Sequence, residues 1–311
     1  MRIGILSRNK QLYSTQRLVE AALSRGHEPQ VVDTVRAAVQ LSIAPASLRN
    51  PTKLPPFDAV IPRIGASVTR YGLAVVGHYE RQGAVLTANE EGLAQSRDKH
   101  LSHRALEAAG LPVPNTVFVA HPRKLWDAIE EVGGLPVVLK RRQSTQGRGV
   151  MLLTNLQTTR HIIRTMERQR VPVSLLVQAF IPEADGKDLR IIVVGDRCVA
   201  AMERAASEGD FRSNLHRGGT ATSVALSTDE SDIALKAAHA LSLAVGGIDL
   251  IKSNSGVLVL EANSSPGLEG IEGSTGLDVA GSIIDYLETE HQRQSKPLTR
   301  PLQDSLRSAP A

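Results

Sequence analysis

At 311 residues, with 41% hydrophobic and 22% charged side chains, the chain is long enough for two or three layered domains of ordinary soluble composition. A formal charge of +4 is too small to imply nucleic acid by itself, although it suits an anionic substrate. Cys198 is the only cysteine, which excludes an intrachain disulfide and fits a reducing cytoplasm, and no apolar run approaches the ~20 residues of a membrane helix.

Aromatic residues make up only 3%, so the core must be built from Val, Leu, Ile and Ala, which favours alternating strands and helices. The N-terminal MRIGILSRNK reads as a first strand over Arg2–Ser7 and not as a secretion signal. A helix over Tyr13–Arg25 ended by Gly26 and strands over Pro29–Asp33, Phe57–Pro62 and Ala84–Thr87 follow, the pattern of an open parallel α/β domain. SRNKQLYS after the first strand lacks the G-x-G-x-x-G of a dinucleotide site. Val35–Pro56 has no clear period and reads partly as loop. Glu90–Ala109 reads as one helix, closed by Gly110 and Pro112.

A smaller unit comes next, with strands over Thr116–Ala120, Leu135–Lys140, Gly149–Leu153 and Ser174–Phe180, and helices over Pro122–Glu131 and Leu156–Gln169. From Asp188 the pattern changes to longer antiparallel strands with one helix, Thr228–Val245. The polar, aperiodic segment from His291 is expected to be disordered. The expected division is therefore 1–95, 96–179, 180–290 and a tail over 291–311.

One hairpin carries chemistry. GIDLI (Gly247–Ile251) and VLVLEA (Val257–Ala262) flank the turn-forming Lys-Ser-Asn-Ser-Gly. With those five residues as the loop, Asp249 stands opposite Val259 and shares a face with Glu261, its diagonal neighbour, while Asn263 continues the row. Two carboxylates and an amide oxygen in one place repel unless a cation intervenes. The donors are hard oxygens with no His or Cys, so magnesium or manganese is favoured over zinc. A solvated sheet edge would also carry acids, to discourage pairing with another chain; the shared face favours metal.

Bound phosphates need cations. Lys140 ends the apolar strand LPVVLK and is followed by RRQSTQGRGV, whose Gly147 and Gly149 let a backbone turn lie close to phosphate oxygens. The segment is not a Walker loop, and alone it fits a plain hairpin with basic decoration better than a phosphate site. Lys99 lies on the helix after the first domain. Asp188 and Arg190 are two apart on a strand, suited to a ribose hydroxyl and a phosphate, or to a surface ion pair. EGDFRSNLHRGG concentrates Arg212, Asn214, His216 and Arg217 between glycines, and guanidinium groups grip carboxylates and phosphates through paired hydrogen bonds. His216 suits a general base or a hydrogen-bond donor.

The order of these features (Lys140, QGRGV, SLLVQAF, DLR, RSNLHRGG, GIDL and LEANSSPGLEGIE), with MRIGILSRN and DAVIPRIG ahead of them, resembles an ATP-grasp ligase of the RimK family, from Met1 to about Leu287. The resemblance implies an α/β and α+β architecture, an ATP-grasp fold behind an open parallel α/β domain. It implies an enzyme that adds L-glutamate to the C-terminal carboxylate of a small-subunit ribosomal protein, using ATP and two Mg2+ or Mn2+ ions in the cytoplasm; a related ligase acting on a carrier protein or small cofactor, or an ATP-binding regulator without turnover, would share the fold. Direct nucleic-acid or membrane contact is not implied, and a homo-oligomer is allowed.

Carried over by position, Lys99 and Lys140 would contact nucleotide phosphates, Gln178, Ala179 and Phe180 would form the adenine hinge, and Asp188 would take the ribose with Arg190 nearby. Arg212, Ser213 and Asn214 would approach the nucleotide or acceptor, Arg212, Asn214 and His216 would orient the reacting groups, and Asp249, Glu261 and Asn263 would hold the metals. Ala179 stands where the family usually has Glu, Gln143-Ser144 replace Glu-Gly, and Ser264 replaces Ala.

Overall fold

The computed structural model describes residues 1–36, 38–39, 54–143, 149–168, 173–207, 210–213 and 218–295. Four parallel strands, β1 (Arg2–Leu6), β2 (Glu28–Val32), β3 (Ala59–Pro62) and β4 (Val85–Leu86), form the first sheet in the order β2-β1-β3-β4. This is the open parallel sheet that the sequence implies. Helix α1 (Tyr13–Ser24) buries Leu18, Ala21 and Ala22, spaced to one stripe, and Gly26 beyond its end takes a φ of +75° that few side chains tolerate. Helix α2 (Thr69–Arg81), not individually anticipated from the sequence, covers the opposite face through Val75, Val76 and Tyr79. Much of the ambiguous segment over 35–56 lies outside the described residues; Thr34–Arg36 forms a single 3-10 turn.

The expected single helix from Glu90 to Ala109 is two, α3 (Glu90–Ser96) and α4 (Lys99–Ala108). Asp98 breaks it. Its backbone is extended (φ −124°, ψ 107°) and its carboxylate accepts from the His100 and Leu101 amides, so a residue that fits a helix interior poorly becomes the N-cap of the next helix.

The second sheet is antiparallel, in the order β5-β8-β6-β7, from β5 (Thr116–Val119), β6 (Val137–Arg141), β7 (Val150–Leu153) and β8 (Leu175–Ala179). Helices α5 (Leu125–Glu131) and α6 (Leu156–Arg168) pack on it through Leu125, Ile129 and Ile163. The third sheet, also antiparallel, runs β11-β10-β9-β12-β13, from β9 (Lys187–Val194), β10 (Arg197–Ala205), β11 (Thr220–Ser223), β12 (Val245–Ser253) and β13 (Gly256–Asn263). In β9, Leu189, Ile191 and Val193 enter one core while Ile192 and Val194 enter another, the period-two signature of a strand covered on both faces.

Helix α7 (Thr228–Ala240) covers one side of that sheet, entered by a capping box in which Ser227 and Glu230 satisfy each other's backbone amides. It ends five residues short of the predicted Val245, where β12 begins. Helices α8 (Glu269–Thr275) and α9 (Val279–Ser295), also beyond the helices expected, bring Ile271, Ile283, Ile284 and Leu287 into a core shared with Ile3, Ile5 and Leu18 of the first domain. Residues 291–295, expected to be disordered, are the last turn of α9; 296–311 lie outside the described residues. Among the described residues no helix is long and apolar enough to cross a membrane.

Candidate active site

Hairpin β12–β13 differs from its predicted register in two compensating ways. The turn is only Asn254-Ser255, with Ser253 opposite Gly256, and a bulge at Leu260 shifts the pairing again. Asp249 therefore faces Glu261 directly, not Val259, and Gly247 faces Asn263. Each change slips the pairing by one residue, so together they return the acids to one face.

The third sheet extends that row. Arg190 of β9 pairs with Asp249 of β12, and Asp188 of β9 with Arg204 of β10. Arg190 grips Asp249 through Nε and, at 2.8 Å, through Nη2. Arg204 grips Asp188 at 2.7 and 2.6 Å and reaches Asp249 Oδ2 at 3.1 Å. Two carboxylates and two guanidinium groups thus form a neutral buried network whose members satisfy one another. Burial pushes the Asp188 carboxyl up, with the Asp249 charge acting the same way against Arg204 and a hydrogen bond to Ser213. Burial also acts to raise Asp249, but Arg190 and Arg204 outweigh it and hold that carboxyl below its usual range.

The repulsion between acids is therefore answered by the chain's own bases. Lys99 Nζ lies 3.2 Å from Glu261 Oε1. Lys140, at the end of β6, is pushed down to about 8 by burial, helped by Lys99 and opposed by Glu261 and Asp249. Lys99, Lys140, Asp249 and Glu261 thus share one electrostatic environment although they come from three separate parts of the chain. Beside them lies a cavity of about 170 Å³ lined by Lys99, Glu261, Asn263, Arg97, Gln143 and Thr69, among others.

Hard oxygen donors at Glu261 and Asn263 open to this cavity, and they fit a divalent cation. Asp249 is different: both its oxygens are engaged by arginines, so a cation there requires Arg190 or Arg204 to yield. Likewise Asp188, expected at the ribose, and Arg190, whose place beside it on the strand suited a phosphate or an ion pair, are engaged within the protein. Among the described residues no three His, Cys, Asp or Glu side chains form a metal cluster.

At the expected adenine hinge, buried Gln178 donates to Thr116 Oγ1 at 2.9 Å, and the Ala179 amide donates to Asn115 O at 2.8 Å. The Phe180 ring meets Phe211 edge-on at 6.5 Å, tying the hinge to the polar loop. In that loop Arg212 folds onto Asp210 at 2.9 and 3.1 Å, covers the Phe211 ring at 5.2 Å and reaches Val150 O of β7 at 3.5 Å. Ser213 contacts Asp188. Asn214 and His216, like Ser144 and Gly147, lie outside the described residues.

Sequence reasoning missed Arg204, Phe211, Arg63 and Arg97. In CVAAMERA only Glu203 and Arg204 are charged, and alternation turns one of two adjacent residues inward, where a charge demands a partner; that was a usable signal for Arg204.

Comparison with known proteins agrees with this architecture. Residues 1–93 match the RimK PreATP-grasp domain and residues 96–287 the RimK-like ATP-grasp domain. A protein of Cellvibrio japonicus named "Probable alpha-L-glutamate ligase" is 47% identical over 300 residues, covering 96% of this chain and 98% of its own. Among solved structures, a RimK domain ATP-grasp protein from Sphaerobacter thermophilus superimposes with a TM-score of 0.70 at 23% identity, covering 93% of this chain and 100% of its own. The ATP-grasp ligase PsnB, solved with a precursor variant, Mg and ADP, gives a TM-score of 0.72 at 22% identity, covering 93% and 98%. The chain belongs to the RimK family of ATP-grasp ligases.

Proposed function

We propose that the chain joins L-glutamate to the C-terminal carboxylate of a small-subunit ribosomal protein at the expense of ATP, in the cytoplasm. The observation that supports this most is the cleft in which Lys99 meets Glu261 beside Asn263, with buried Lys140 close enough to feel both. Near-full-length likeness to proteins named alpha-L-glutamate ligase supports glutamate as the added group.

The chemistry answers a leaving-group problem. Carboxylate oxygen does not depart when an amine attacks, so ATP first phosphorylates the acceptor carboxylate, giving an acyl phosphate and ADP. The glutamate amine then forms the amide bond, inorganic phosphate departs with the C–O bond it held, and the amine loses a proton. Lys99 and Lys140 neutralise the transferring phosphoryl group from rigid positions. The backbone at Gln178 to Phe180 holds the adenine, and Asp188 and Arg190 position Arg204 and Asp249. Arg212 and Ser213, with Asn214 and His216, orient the nucleotide and the acceptor carboxylate. Glu261 and Asn263, joined by Asp249 once an arginine yields, would hold Mg2+ or Mn2+, two ions in all, which supply charge neutralisation to the phosphates.

The test is incubation with ATP, Mg2+, labelled glutamate and purified small-subunit ribosomal proteins, read by mass spectrometry. A ladder of glutamate-sized increments on one protein is expected. Label confined to a small cofactor or a carrier protein would reject the acceptor. Folded Asp249→Ala and Glu261→Ala variants that still ligate would reject the site.

A further inference from the structure

Two arginines beside the cleft have no acid of their own. Arg63 follows β3 and donates through Nη1 to Pro266 O at 2.6 Å, in the loop after β13. Arg97, in the break between α3 and α4, donates through Nη2 to Ile64 O, and its Nε is buried with no partner. Among the described residues neither makes an ion pair, and Glu261 is the only acid whose charge Arg97 feels. Burial pushes Arg63 down to about 10, with Arg97 adding repulsion; burial likewise lowers Arg97. Two neighbouring half-buried cations anchored only by carbonyls leave most of their N–H donors unassigned. Such an arrangement is destabilising alone and is relieved by an anion.

We propose that Arg63 and Arg97 form a carboxylate-binding subsite, and that it holds a carboxylate of the incoming amino acid; this rests on the ligase reading above. Guanidinium forks match a planar carboxylate. The acceptor's terminal carboxylate must reach the phosphates at Lys99 and Glu261, so a carboxylate held at the arginines is one that does not react, and glutamate brings two. Arg97 lines the same cavity as Lys99, Glu261 and Asn263, which places the held amino acid beside the activated carbonyl.

Steady-state kinetics in which glutamate, ATP and acceptor are varied separately test this on the full chain, with thermal melts to establish that each variant is folded. Arg97→Gln is expected to raise the KM for glutamate about tenfold or more and to leave the KM values for ATP and acceptor within about twofold. Arg97→Lys, which keeps the charge and a donor for Ile64 O but loses the fork, should recover part of the loss, and Arg63→Gln should repeat it. A parallel rise in the KM for ATP would make the subsite a phosphate site and overturn the proposal. So would a rise confined to the acceptor, or an unchanged glutamate KM in an enzyme that still ligates glutamate. A parent enzyme without glutamate-dependent ADP release overturns the ligase reading, and the subsite with it.

Discussion

Asp249 shows what a single side chain is asked to do here. Its charge is balanced by Arg190 and Arg204, and Arg204 also holds Asp188, so one guanidinium serves two buried acids. Removing one partner of a buried pair leaves the other charge uncompensated. Arg204→Met is therefore expected to cost about 3–5 kcal/mol by urea denaturation, and to lower ATP turnover because Asp249 loses its position. Ser264, which stands where the family usually has Ala, has a buried hydroxyl oxygen with no hydrogen-bond partner. Ser264→Ala removes that unmet demand and should stabilise the fold by about 1 kcal/mol in the same assay. Asp249 and Glu261 were legible in the sequence because both lie on one hairpin, where alternation places side chains. The pairing of Arg204 with Asp188 was not, although both lie on the β9–β10 hairpin: an irregularity between Cys198 and Ala200 shifts the register before that pair is reached.

Among the elements, the active edge depends on two local departures from regularity. The tight turn alone would set Asp249 against Leu260 and leave Glu261 on the other face; the bulge at Leu260 brings the two acids directly opposite each other. The break at Asp98 places Arg97 and Lys99 on either side of a helix start, where both line the cavity. Asp98 also accepts from Arg142 Nε at 2.5 Å, tying the break to the strand end beyond Lys140. Asp98→Ala should cost about 1–2 kcal/mol through the lost cap, seen as a lower melting temperature, and should raise the KM for ATP because Lys99 is the first residue of the helix it caps. Alternation survives small errors in loop length, which is why the shared face was predictable although the register was not. A capping residue inside a helical period is harder to see, because the apolar spacing continues on both sides of it.

Across the whole molecule, the cleft exists because the first sheet and the third are held together. Ser265 Oγ donates to Pro62 O at 2.9 Å, the Leu268 amide to Ser14 Oγ at 2.9 Å, and Arg17 meets Glu272 at 3.1 Å and Asp278 at 3.0 Å. Gly247 lets the loop after β13 fold close over β12, where that loop meets Arg63 of the first domain: a Cβ there would lie 2.7 Å from Pro266 Cβ. Burial, with the charges of Lys99, Glu261 and Asp249 around it, also sets the titration of Lys140. Its pKa falls from 10.5 to about 8, so between these values the unfolded chain binds more protons than the folded one, and stability rises with pH across that window. Nucleotide phosphates favour the charged amine, so ATP binding at about pH 8.5 should take up a proton. Calorimetry in two buffers of different ionisation enthalpy measures this, and Lys140→Met should abolish the uptake.

Strand and helix periods, turn residues and the same-face placement of Asp249, Glu261 and Asn263 were readable from the linear order alone, because each is settled by neighbours a few residues apart. The order of motifs was enough to identify the ligase family. Tertiary structure alone decided that Asp249 is held by two arginines, that Lys140 is buried beside Lys99, and that Arg63 and Arg97 stand together without an acid. Those facts depend on strand register and on the docking of separate sheets, and charges in a low-dielectric interior respond to whatever lies nearest in space, however distant in sequence.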